Sequence, residues 1–256
     1  MSKLVIYVKT ISYIIFIFAL FIKVGMSSES DLKEANLLFD KGEYLESVNL
    51  ASKSLSIESY IFQARTLAIY GHFFLEEEEA IKVFKQASEF AFLALDIDSL
   101  DDNAHVEAAH TMGRYSQLIG IVSALKEGYA EKISFHLDEA IKINPNNISA
   151  QISKGTWHAE IVDKAGFMAN ILYGATSDQA RKHYESALSL DSDDIGYLYE
   201  ISYGLSLLDY KKDRVKAKEL LSKVIETEPK NHLDRLYIEK AKNLIIEPGI
   251  RIHNYQ

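Results

Sequence analysis

Eight histidines in a chain rich in acids direct attention first to metal binding and acid–base chemistry. His105 and His110 stand five apart with Glu107 between them. A zinc-binding helix of the His-Glu-x-x-His kind needs its histidines four apart, because residues five apart point to different faces. Trp157-His158, with Glu160 and Asp163 following, holds the ingredients of an acid–base group in a cleft. The same pair also suits a packed helix groove in which His158 hydrogen-bonds a neighbour. Asp191-Ser192-Asp193-Asp194 with Gly196 has the acidic start of a calcium loop. Ile195 in its fifth place and Ser202 in its twelfth lack the required carboxylates, so Asp193 and Asp194 read as helix caps. Glu76 to Glu79 form a helix start whose charge meets the positive end of the helix dipole. Asn147-Ile148-Ser149 matches the glycosylation triplet, yet it follows Pro145 at a point where a helix-capping Asn is expected. A glycine-rich phosphate loop, a Gly-x-Ser-x-Gly elbow and carboxylates at catalytic spacing are all absent. The sequence therefore predicts no enzyme, no cofactor and no bound metal.

The elements that would position these residues are set by a recurring phrase. Ala140-Ile141-Lys142-Ile143-Asn144-Pro145 has counterparts starting at Ser54, Ala94, Ala187 and Val224. Twelve residues before the end of each copy sit Ser47, Ala87, Ile133, Ala180 and Ala217; eight before it sit Ala51, Ala91, Leu137, Tyr184 and Leu221. Small residues at helical spacing let two helices approach closely, and the terminal Pro or Ser turns the chain toward the next helix. Apolar residues make up 48% of the chain, only three prolines occur, and strand-type alternation is missing. The expected class is all-α.

This spacing resembles the second-helix half of a tetratricopeptide (TPR) repeat, over roughly residues 30 to 246. The resemblance implies a solenoid of about five helix pairs with a C-terminal capping helix, over residues 28–246, followed by a loose tail at 247–256. In the first pair the turn falls at Gly42-Glu43-Tyr44 and the second helix is expected to run to about Ile57; in the second pair the partner helix reaches Ile97. Two neighbouring repeats are longer than the usual period of about 34 residues. The surplus, Gln117 to Gly128 and Lys164 to Ala175, lies between the two helices of each repeat and is apolar. A surface loop of that length is ordinarily polar, so both inserts are expected to be buried. The stretch from Gly155-Thr156-Trp157-His158-Ala159-Glu160-Ile161 through Tyr173-Gly174-Ala175 into Ala180–Ala187 more closely resembles exported bacterial repeat proteins akin to the periplasmic component associated with TRAP transporters. More distantly it is similar to regulator of microtubule dynamics proteins, which carry a Gly-x-Trp-His phrase. The first of these resemblances implies an export signal and an apolar ligand channel. That group is usually lipid-anchored through a cysteine, and this chain has none.

Met1-Ser2-Lys3, the apolar run within residues 4–22, and the small residues from Gly25 to Ser28 read as a secretory signal peptide or an N-terminal membrane anchor over residues 1–27. The expected location is periplasmic or exported, with inner-membrane anchoring through residues 4–22 as the variant. The absence of cysteine excludes disulfides and thiolate zinc sites, and a net charge of −9 argues against nucleic acid as partner. The expected function is a non-catalytic scaffold for a protein partner; the alternative is a small-molecule or lipid binder associated with a transporter. Tyr115, Trp157, His158, Phe167, Met168, Leu172 and Tyr173 are the expected ligand or partner contacts.

Overall fold

The computed structural model describes residues 29–190, 193–208 and 210–246. The leader and the C-terminal tail expected from the sequence lie outside the described residues. Thirteen helices and no strand occur among those described. They are α1 (29–41), α2 (Tyr44–Ala51), α3 (Ile57–Phe74), α4 (Glu77–Ile97), α5 (Asp102–Leu118), α6 (Ile121–Lys126), α7 (Tyr129–Ile143), α8 (Ile148–Ala165), α9 (Met168–Tyr173), α10 (Ser177–Leu190), α11 (Ile195–Leu207), α12 (Lys211–Glu226) and α13 (His232–Ile246). Helices α1/α2, α3/α4, α5/α7, α8/α10 and α11/α12 form five antiparallel pairs; α13 caps the stack, and α6 and α9 are inserts within the third and fourth pairs. No helix among the described residues is long and apolar enough to cross a membrane.

The small residues of the recurring phrase sit where helices touch. Ala87, Ala91, Ala94, Ala140, Ala180 and Ala187 are fully buried, and Ala217 nearly so. Their lack of bulk is what allows one helix to lie close against the next. The partner of that arrangement is a large ring in the gap: Tyr184 of α10 is buried between Gly155 of α8 and Gly204 of α11. A Cβ on Gly155 would lie 2.5 Å from Tyr184 Cε1, and one on Gly204 would overlap the Tyr184 hydroxyl. Gly71 accepts Phe84 in the same way at the second pair.

Helix starts follow the expected caps. Asp101 accepts from the Ala104 N–H at 2.8 Å, Asn147 from Ala150 at 2.9 Å, and Asp194 from Tyr197 at 2.9 Å. Asp193 pairs with Lys223 at 2.6 Å. Asn147 is buried, and its amide donates to Asp102 and Asn103. Its amide nitrogen is therefore engaged in the folded protein.

The first repeat departs from the pattern. Helix α2 stops at Ala51 rather than near Ile57, although Ser47, Ala51 and Ser54 keep the buried spacing. Serines end it: the Ser59 hydroxyl donates to the Ala51 carbonyl at 2.6 Å, and Ser56 caps the next helix through the Ser59 N–H. Such side chains offer the backbone partners that compete with further helix.

The stack curves until its ends meet. Tyr44 of α2 hydrogen-bonds His232 of α13 at 3.0 Å, and Tyr237 of α13 meets Phe73 of α3 edge-on at 5.6 Å. Leu233 packs against the cluster formed by Ala35, Phe39, Tyr44 and Ile69. The solenoid is a closed ring with α3, α5, α8, α11 and α13 around its inner face.

Candidate functional site

Three regions hold the chemistry-bearing residues, and the inner face is the first. Glu107, His110, Arg114 and Gln117 recur along one stripe of α5 at helical spacing. Arg114 reaches Glu200 of α11 at 3.6 Å, and its Nε donates to His110 Nε2 at 3.4 Å. His110 lies 3.6 Å from the buried Glu107 carboxylate, and Gln117 donates to Glu160 of α8 at 2.9 Å. Tyr199 and Tyr237 rings meet at 5.2 Å beside this network. Burial holds His72 well below the usual histidine range, with Arg114, Lys240 and His110 adding to the effect. Burial also lowers Lys240, helped by Arg114. The inner face is thus bridged by its own side chains, from α5 to α11 through Arg114 and Glu200 and from α5 to α8 through Gln117 and Glu160. Sequence reading missed this network, because its members come from five helices; the 107–110–114–117 stripe on α5 was its one local signal.

The second region surrounds the only tryptophan. Trp157 is buried, donates its indole N–H to the Ala130 carbonyl at 3.0 Å, and lies under Lys154 at 4.7 Å. His158 Nδ1 accepts from the Thr176 N–H at 3.4 Å, and its ring stacks on His183 at 5.7 Å. His183 Nδ1 bonds Gln151 Oε1 at 2.7 Å. Burial brings both histidines down to about 4, and the Lys154 ammonium pushes in the same direction. Neutral rings with committed nitrogens serve packing, and Glu160, the expected acid, is held by Gln117 and Lys164. Both His105 nitrogens have partners: it bonds His136 at 2.8 Å and the Ser99 carbonyl at 3.1 Å, with His136 lowered to about 4 by burial. Among the described residues no group of three or more His, Cys, Asp or Glu is placed to hold a metal ion.

The third region is the edge carrying the inserts. Helices α5 and α8 end side by side, tied by the Gln117–Glu160 bond, so α6 and α9 leave the body at neighbouring points. Each insert is bracketed by two left-handed glycines, Gly120 and Gly128 around α6, Gly166 and Gly174 around α9. The expectation that the inserts are buried is corrected here. Ile121, Val122 and Leu125 of α6, and Phe167, Ile171 and Leu172 at α9, are 56–83% exposed. A helix of six residues has fewer than two turns and can press only one face on the body. Ala169, Ala175 and the partly buried Tyr173 take that face against Trp157 and Leu137; the larger side chains face out, with Met168 intermediate. The eight-residue Gly-to-Gly spacing, seen twice, is the signal that marks these helices in the sequence. Beside α6, Tyr115 and Met112 floor a groove of about 710 Å³ between α4 and the start of α7, edged by Phe92, Leu93 and Tyr129. Lys85 lies over the Tyr115 ring at 5.3 Å.

The seven expected contact residues therefore do not form one pocket. Tyr115 belongs to the outer groove, Trp157, His158 and Tyr173 to the packed interior, and Phe167, Leu172 and the half-buried Met168 to the insert edge. Phe167, Ile171 and Leu172 on one insert, and Ile121, Val122 and Leu125 on the other, present large apolar side chains to solvent. At about 1.5–3 kcal/mol per fully buried side chain, six such residues at about two-thirds mean exposure leave roughly 6–12 kcal/mol of apolar burial unrealised.

Comparison with known proteins agrees with the architecture. The fold is similar to that of TTC0263, a thermophilic TPR protein of Thermus thermophilus, with a TM-score of 0.59 at 16% identity, covering 85% of this chain and 100% of that one. More distant likenesses are to YrrB, a TPR protein with an unusual peptide-binding site (TM-score 0.38, 17% identity, 83% and 92% covered), and to MamA protein (TM-score 0.41, 15% identity, 86% and 96% covered). No curated protein matches the chain. The family model for regulator of microtubule dynamics protein 1-3 matches residues 31–247, the whole solenoid from α1 to the end of α13. With the Gly155-x-Trp157-His158 phrase seated in its fourth repeat, the chain belongs to the regulator of microtubule dynamics protein 1-3 family.

Proposed function

We propose that the protein is a non-catalytic scaffold that binds a protein partner through the edge formed by α6 and α9, working by surface complementarity. The observation that carries this reading is the set of six outward apolar side chains on the two inserts, Ile121, Val122, Leu125, Phe167, Ile171 and Leu172. Between Ala165 and Thr176 the chain has no charged residue, which suits the dry centre of an interface. The family description, a regulator of microtubule dynamics, is in kind that of a protein acting through another assembly. Location follows from the leader reading: the scaffold works in the bacterial periplasm or cell envelope, released from the leader or held by residues 4–22. The resemblance to TRAP transporter-associated repeat proteins supports an envelope partner. The test is purification of the full chain from its own envelope beside the variant Phe167→Ser/Ile171→Ser/Leu172→Ser. A stoichiometric polypeptide that co-purifies with the first and is lost with the second supports the proposal; equal recovery with both refutes it.

A second reading, a small apolar ligand, is favoured by the groove over Tyr115, whose volume falls in the range of ligand sites. Native mass spectrometry separates the two. A bound small molecule lost on Tyr115→Ala supports the second reading, and a bound subunit supports the first.

A further inference from the structure

The groove over Tyr115 carries a charge pattern that its volume alone does not reveal. Met112 and Tyr115 form its floor, Tyr129 stands on the α7 side, and Glu89, Phe92, Leu93 and Asp96 run along its α4 wall. The order 85–89–92–96 is the spacing of one helix face, so charged and apolar side chains alternate along that wall. Glu127, at the end of α6, adds a third carboxylate. Glu89, Asp96 and Glu127 are exposed, and none of the three is ion-paired among the described residues. Of the lining residues only Lys85 is a cation, and it does not pair with Glu89 one turn on; its Nζ lies 5.3 Å over the Tyr115 ring. Lys132 in the same way lies 5.2 Å over Tyr129, whose ring is 5.6 Å from that of Tyr115. The tyrosine faces are places where an ammonium settles, and the carboxylates beside them favour a further cation.

The α4 wall continues into an aromatic ledge. Phe92 meets His136 at 5.7 Å, and His136 meets Phe135 at 5.2 Å; Phe92, Leu93 and Phe135 are all exposed. From Lys85 to Asp96 the helix rises about 16 Å, the reach of about five extended residues. A neutral apolar ligand would strip water from the three carboxylates without replacing it, whereas a cation gives them a partner. A small cation, in turn, would leave the ledge uncovered. We infer that this groove docks a short segment of a partner polypeptide in which Lys or Arg stands beside large apolar residues. The apolar side chains of that segment lie on Met112, Phe92 and Leu93, and its cations meet Glu89, Asp96 and Glu127. The inference goes beyond the insert edge and does not rest on it; for the groove it commits to a basic polypeptide in place of a small apolar ligand.

The probe is a phage library of random nine-residue peptides selected against the full chain. The selected peptides are then made with a fluorescein label and titrated by anisotropy, with circular dichroism checking that each variant is folded. Peptides that carry Lys or Arg next to Leu, Ile, Phe or Trp are expected. Glu89→Gln/Asp96→Asn/Glu127→Gln keeps the shape of these surface side chains and should bind the peptides at least tenfold more weakly. Lys85→Gln removes the competing ammonium and should bind them at least threefold more tightly, an opposite sign that a merely structural effect does not produce. Phe167→Ser/Ile171→Ser/Leu172→Ser should bind them as the wild type does, so failure here and failure of the insert edge are read separately. No selected peptide, selected peptides without a cation, or equal binding to the wild type and the carboxamide variant overturns the inference. Loss of binding in the insert variant also overturns it, because the peptide site is then the edge. A neutral small molecule seen by native mass spectrometry and lost on Tyr115→Ala overturns it as well, since that gives the groove to the other occupant.

Discussion

Gly204→Ala tests the packing that sets the angle between the fourth and fifth repeats. The added methyl would overlap the hydroxyl of Tyr184, with Tyr184 Cζ at 2.7 Å and Thr156 Oγ1 at 3.3 Å behind it. Overpacking a closed core costs about 1–3 kcal/mol, and the upper end applies because Tyr184 is fully buried and also enclosed by Gly155. Replacing a helical glycine by alanine returns about 1 kcal/mol of propensity. The net expectation is a loss of about 2 kcal/mol, read as a lower urea midpoint at constant slope by circular dichroism. Tyr184→Phe alone removes the 3.3 Å contact with Thr156 and should cost about 1 kcal/mol. Combined with Gly204→Ala it removes the overlapping atom, so the pair should be less destabilised than the sum, with a favourable coupling of about 1 kcal/mol. Gly155→Ala meets ring carbons, Cε1 at 2.5 Å and Cδ1 at 2.8 Å, which Phe retains. Its coupling to Tyr184→Phe should be near zero. Equal coupling for the two glycines would refute the reasoning, because the structure assigns them different atoms of the same ring.

Other outcomes follow from the same packing. Arg181 and Asp213 form a two-pronged pair at 2.9 and 2.7 Å with Asp213 buried, so Arg181→Ala should lower the denaturation free energy by about 3 kcal/mol, checked by urea titration. His136, His158 and His183 are held at about 4 in the fold against an ordinary 6.5. Between those values the unfolded chain takes up protons that the folded chain refuses, so stability is full above about pH 6.5 and falls as pH drops toward 4. Melting temperature measured from pH 7.5 to 4.5 checks the slope, and His183→Gln should flatten it. Asn147→Ala removes the cap of α8 and the bonds to Asp102 and Asn103 and should cost about 1–2 kcal/mol by the same titration. Phe167→Ser/Ile171→Ser/Leu172→Ser should leave the melting temperature nearly unchanged, since these side chains face water.

The stacking of this molecule is legible in its sequence because it is local. Ala94, Ala140 and Ala187 recur at a fixed place in each helix, and the same spacing that reveals the repeat dictates burial. The inserts were located by counting, yet their burial was read from composition, and composition cannot say which face of a six-residue helix meets the body. Ala169 and Tyr173 turn inward while Phe167 and Leu172 turn out. The seam between Tyr44 and His232 joins residues 188 positions apart. No periodicity foretells it, since it follows from the accumulated curvature of five repeats, as does the Arg114–Glu200 bridge.

Whether the edge of α6 and α9 is the surface that meets a protein partner is tested most directly by photo-cross-linking from a benzoylphenylalanine placed at Phe167, in the full chain and in its native cells. A discrete polypeptide adduct that disappears when Ile121, Val122 and Leu125 are changed to serine is the predicted result. Adducts to lipid alone, or an adduct pattern matching that from a probe at the exposed Glu131, would contradict it.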